Sequence, residues 1–135
     1  MDLPKLPGYN ISLTLHELAG GHTIAMHVAK SLDFLRRRTM GDDPLPAAST
    51  FLSLGLARSL INMTLNYNRA KIAAMMAIEG KASATIFTTF DKPTGYRYEA
   101  GKGNIATVYS VFIVLQKPAV TPEGFLVFTA FPVPP

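Results

Sequence analysis

The sequence predicts an α+β fold, with N-terminal helices packed on a C-terminal antiparallel sheet. Three observations carry the prediction. Up to Gly80, apolar residues recur at helical spacing between capping residues. From Ser83 onward the apolar runs are short, β-branched or aromatic, and separated by hairpin-scale turns. Hydrophobic residues make up 48% of the 135 and charged residues 16%, with no cysteine, so the chain is not disordered and packing alone must hold its core. Helices first and strands later favour segregated layers, and no motif demands a parallel crossover. The length suits one domain over 1–135, with the proline-marked residues 1–10 as an extended lead-in or linker. Such a start suits a module of a longer protein.

The elements follow in order. Leu13 to Leu18 forms a short helix stopped by Gly20-Gly21. A second helix runs from Thr23 to about Lys30. Ser31 caps a third, with Asp33 in its first turn, where a carboxylate suits the helix dipole. The second and third could equally be one continuous helix. Gly41 to Ser49 reads as a loop, after which Ser49 or Thr50 opens a longer helix. Phe51, Leu52, Leu54, Leu56, Leu60 and Ile61 supply its apolar side, and Arg58 points out. Asn66 to Asn68 marks a break, and a further helix spans Arg69 to Ile78 with Gly80 as its cap. Strands are expected over Ala84 to Phe90, Tyr96 to Tyr98, Thr107 to Leu115 and Phe125 to Phe131. The turns lie at Lys92 to Gly95 and Gly101 to Asn104, and a loop at Pro118 to Gly124.

Chemistry concentrates in the twenty-three residues from His16 to Arg38, which hold all three histidines, Lys30 and the run Arg36-Arg37-Arg38. The chain carries 13 Lys+Arg against 9 Asp+Glu, a formal net charge of +4. That balance is compatible with nucleic acid, an acidic partner or an anionic surface. Several classes are excluded. A helical zinc site needs histidines at i and i+4, whereas His22 follows His16 by six residues across a Gly-Gly break, so no metal is expected. There is no GxSxG elbow and no phosphate-loop motif. Gly101, Gly103 and Ala106 match a loose dinucleotide fingerprint, but a strand follows where a helix is required. The longest apolar runs fall short of the roughly 20 residues of a membrane-spanning helix, which disfavours stable membrane insertion.

Imidazoles beside cations fit a metal-free ribonuclease. Cleavage by RNA's own 2′-hydroxyl needs a base for its proton, a donor for the leaving 5′-oxygen and cations around the pentavalent transition state. A histidine with a pKa near its usual ~6.5 suits both transfers, each worth about 10²–10⁴ in rate. The competing structural reading is that a lone histidine on an apolar helix bonds backbone, and that Arg36 to Arg38 form a solvated face. His22 and His27 lie about 140° apart on an ideal helix and need not share a side, whereas Lys30 shares the face of His27.

The segment LxxHExxGGHTIxxHVxKS, here Leu13 to Ser31, resembles the RNase A-like toxin domain at the C-terminus of bacterial contact-dependent growth-inhibition proteins. The basic run, the A-S-T-F phrase at Ala48 to Phe51, placed at the opening of the next helix, and the closing F-L-V-F-T-A-F-P agree. The resemblance implies an RNase A-like fold without disulfides, and a ribonuclease that uses neither metal nor cofactor. It implies RNA, notably tRNA, as substrate and a cognate immunity protein as partner, with the toxin domain itself monomeric. It also implies export as the C-terminal part of a large bacterial surface protein and action in the target cell's cytoplasm. Carried over residue by residue, it implies His27 as acid/base, Arg38 as phosphate-stabilising cation and Thr129 as a phosphate donor. His22 is a further catalytic candidate, and Lys30, Arg36, Arg37 and Phe131 are substrate-binding candidates. Phe131 stands where the family commonly has tyrosine, Met26 where a basic residue is frequent, and Ala29 where glycine is usual. An inactive relative that binds RNA or its partner protein is the alternative, with a membrane-active toxin a distant third. His27→Ala is expected to abolish toxicity and leave the thermal transition nearly unchanged.

Overall fold

A computed structural model describes residues 8–135. Its helices are α1 (Leu13–Leu18), α2 (Thr23–His27), α3 (Leu32–Arg38), α4 (Leu54–Tyr67) and α5 (Arg69–Met76). Its strands are β1 (Ala47–Phe51), β2 (Ala82–Thr89), β3 (Gly95–Glu99), β4 (Asn104–Val108), β5 (Ser110–Lys117) and β6 (Leu126–Val133). The fold is α+β, but the strands form two three-stranded antiparallel sheets, β1-β3-β4 and β2-β5-β6. The expected lead-in falls partly on residues 1–7, outside the described residues. Tyr9 is docked: its N–H donates to Asn66 at 2.7 Å and its ring meets Phe125 edge-on at 5.5 Å.

Local chemistry explains most boundaries. Ser12, Ser31 and Ser53 accept from the backbone N–H three residues on, capping α1, α3 and α4. Asn68 separates α4 from α5, its side chain reaching back to the Thr64 carbonyl at 2.8 Å. Ile61, Leu65, Ile72 and Met75 of these helices pack on Ile86, Ile113, Leu115 and Val127 of the second sheet, making the main core. Arg58 points outward and reaches the Thr14 hydroxyl at 3.3 Å.

Four expectations are corrected. Residues 49–51 belong to strand β1, and the long helix starts after Ser53; Phe51 faces the core from a strand paired with β3. The second and third helices are not continuous, and α2 stops at His27. Val28 is extended and bridges Phe51, while the Ala29 N–H donates to the Phe51 carbonyl at 2.9 Å and that of Lys30 to Thr50 Oγ1 at 2.9 Å. Donors that would continue a helix are committed to β1 instead. The expected strand Thr107 to Leu115 is two strands in different sheets, broken at the exposed Tyr109. The buried Thr94 hydroxyl braces this corner by donating to the Ser110 carbonyl at 2.9 Å, with the Val108 carbonyl 3.2 Å away. The last strand runs on through Pro132 to Val133.

A β-bulge shapes β6. Val114 pairs with Thr129 and Leu115 with Val127, leaving Phe128 as the extra residue. Val127 and Ala130, three apart, therefore both join the core. Thr129, Phe131 and Val133 turn to the other face, towards the first sheet.

Candidate active site

A cleft of about 320 Å³ opens between the two sheets. It is lined by Ala47, Ala48 and Ser49 of β1, Arg97 of β3, and Thr129, Phe131 and Val133 of β6. His22, His27 of α2, Arg38 of α3 and Leu45 complete the wall.

Each polar side chain is held by its local fold. His22 is the N-cap residue of α2. Its N–H donates to the Phe128 carbonyl at 3.0 Å and its ring meets the Phe128 ring edge-on at 4.5 Å. That approach depends on Gly21, where a Cβ would stand 2.6 Å from the Val127 carbonyl oxygen. The next turn is capped by Glu17, whose carboxylate accepts from the N–H groups of Ile24 at 3.0 Å and Ala25 at 2.8 Å. His16 is fully buried; its Nδ1 accepts from the Val127 N–H at 2.9 Å and its Nε2 donates to Glu123 at 2.8 Å. The His-Glu pair is therefore a double pin that fixes α1 to β6 and α1 to α2. Among the described residues no cluster of His, Asp or Glu is arranged to hold a metal.

His27 ends α2 with its ring 5.1 Å from that of Phe131. Its Nδ1 lies 3.2 Å from the Ser49 carbonyl, an acceptor only, so Nδ1 carries the proton and Nε2 is the free base position. Burial is the main reason its pKa falls from 6.5 to about 4. The Ser49 carbonyl opposes that fall, while the positive field of Arg38, His22 and Lys30 adds to it. The imidazole is thus neutral at pH 7 and able to accept a proton. Arg38, half-buried, has its pKa lowered by desolvation and pairs with no carboxylate among the described residues.

Three buried polar atoms of the cleft lack hydrogen-bond partners: His22 Nδ1, Thr129 Oγ1 and Arg97 Nε. Buried polar atoms are rarely left so, and their convergence on one cavity marks a place for a polar ligand. The structure brings together His22, His27, Arg38, Thr129 and Phe131 of the sequence-predicted set. It places the others outside the cleft lining. Lys30 lies over the Phe34 ring at 5.2 Å, Arg36 is exposed, and Arg37 is exposed and paired with Asp33 at 2.8 Å. Arg36 and Arg37 follow the solvated-face reading because consecutive helical residues are about 100° apart, so only Arg38 turns inward. Arg97 escaped sequence reasoning. It sits in a Tyr-Arg-Tyr strand with nothing to separate it from an ordinary surface position.

A family model described as "Bacterial CdiA-CT RNAse A domain" matches residues 21–132. A solved structure, a CdiA-CT/CdiI complex from Y. kristensenii 33638, contains a chain 27% identical to this one. The two superpose with a TM-score of 0.74, covering 84% of this chain and 100% of that one. No curated protein matches the chain.

Proposed function

The chain belongs to the bacterial CdiA-CT RNase A domain family, and from that premise we propose that it is a ribonuclease toxin cleaving tRNA by 2′-hydroxyl attack. His27 Nε2 takes the 2′-hydroxyl proton as the oxygen attacks phosphorus and the bond to the 5′-oxygen breaks. The products are a 2′,3′-cyclic phosphate and a 5′-hydroxyl, and His22 delivers the proton to the leaving oxygen. Arg38 and the Thr129 hydroxyl hold the non-bridging oxygens, where charge builds in the transition state; removing one such donor typically costs on the order of 10² in rate. Proton transfer and charge stabilisation both come from side chains, so the reaction proceeds without a metal or other cofactor.

The observation that carries this reading is the meeting of two imidazoles, a guanidinium and an unpartnered hydroxyl in one cleft. The domain is carried as the C-terminal part of an exported surface protein, acts as a monomer in the cytoplasm of the target cell, and is neutralised by a CdiI-type immunity protein covering the cleft. Total tRNA incubated with the protein in EDTA tests the chemistry. Cleavage is expected to survive chelation and to fall by at least about 10³ in His27→Ala. Intact tRNA at high protein concentration would instead support the binding-only alternative, in keeping with the missing hydroxyl at Phe131.

A further inference from the structure

The first sheet contributes a polar group to the cleft that neither sequence pattern nor family resemblance marked. Arg97 occupies the centre of β3, paired with Ser49 on one side and Ala106 on the other. Residues opposite one another on an antiparallel pair project to the same face, so Arg97 rises beside Ser49, whose carbonyl holds His27. Its Nε is buried without a hydrogen-bond partner. It makes only a long ion pair with Glu99, 3.8 Å from one carboxylate oxygen and beyond hydrogen-bond length, while the other Glu99 oxygen faces Lys102 at 3.5 Å. A guanidinium fixed on the middle strand of a sheet, lining a cavity with a donor unspent, is preorganised for an oxygen-rich anion. The Thr129 hydroxyl, also unpartnered, and the Arg38 guanidinium line the same cavity.

We infer that Arg97 is a substrate-binding residue whose Nε–H donates to a non-bridging oxygen of the RNA phosphodiester seated in this cleft. The inference rests on the ribonuclease reading above and adds a second guanidinium to it, supplied by the first sheet rather than by α3. Its contribution is to seat the substrate, so it acts on binding more than on the chemical step.

The test uses a short oligoribonucleotide for kinetics and its 2′-deoxy, uncleavable counterpart for binding across a series of KCl concentrations. Arg97→Gln is expected to raise KM and Kd about tenfold, the scale of one charged hydrogen bond, with kcat changed by less than about threefold. The slope of log K against log salt should fall by about 0.7, the signature of one lost phosphate contact on a single strand. Arg97→Lys keeps the charge and should restore the slope with only part of the affinity. Unchanged KM and slope in Arg97→Gln would overturn the inference while leaving the nuclease standing. So would a fall in kcat with the slope intact, or loss of immunity-protein binding alone. A parent protein that neither binds nor cleaves the oligoribonucleotides would overturn both readings. Should Arg97→Gln fail to fold, Arg97→Lys decides: affinity equal to the parent's would overturn the inference.

Discussion

His27 shows how one residue's environment couples stability to chemistry. It is 7% exposed, hydrogen-bonded to a backbone carbonyl and packed on Phe131, so removing it is not silent, and the expectation of a nearly unchanged thermal transition is revised. At pH 7.5, His27→Ala should cost roughly 1–2 kcal/mol from the lost hydrogen bond and ring contact. The unfolded chain takes up this proton near pH 6.5 and the folded chain only near 4, so the parent loses stability as pH falls through that window. The full loss is on the order of 3 kcal/mol, and the variant escapes it. Denaturant titrations at pH 7.5 and 4.5 should therefore show the variant less stable at the first and equal to or more stable than the parent at the second. A constant difference between the two pH values would mean that the imidazole titrates normally.

Among the elements, the segment between α2 and α3 is the most informative. Ala29 has φ 52°, the left-handed region where a Cβ costs roughly 1–2 kcal/mol. The donors of residues 29 and 30 are committed to β1, so this turn cannot relax into a helix. A left-handed turn here is consistent with the glycine that the family resemblance leads one to expect at this position. Ala29→Gly should raise stability by roughly 0.5–1 kcal/mol, strain relief outweighing the greater freedom of glycine in the unfolded chain. A lower melting temperature in that variant would show that the turn is not strained. The sequence made α1, the Ser31 cap and the Asn68 break legible because each rests on contacts within a few residues. It left β1 hidden because Ala48 to Phe51 is short, and only β3 and Val28 make it a strand.

At the scale of the whole molecule, the candidate site is the seam between two sheets. Its walls come from α2, α3, β1, β3 and β6, spread from His22 to Val133. A ligand spanning the seam binds only the folded arrangement, so the uncleavable oligoribonucleotide should stabilise the protein by about 2.7 kcal/mol at a hundredfold excess over its Kd. Thermal melts with and without the ligand measure this. No shift at that concentration would mean that the folded protein does not bind RNA in preference to the unfolded chain.

The α+β class, the absence of disulfides and the order of most elements could be read from the sequence, which also singled out His27, Arg38 and Thr129 as the candidates that the fold then brings to one cleft. Caps, turns and residue chemistry are written locally, and a resemblance transfers matched positions one at a time. Tertiary structure alone decided that the strands divide into two sheets, that the Phe128 bulge turns Thr129 away from Val127, that His16 and Glu17 act as pins, and that Arg97 joins the cleft. All but the Glu17 cap, whose partners lie seven and eight residues on, depend on a contact between residues distant in the chain. No local pattern specifies which strand will supply the partner or which face will be left open.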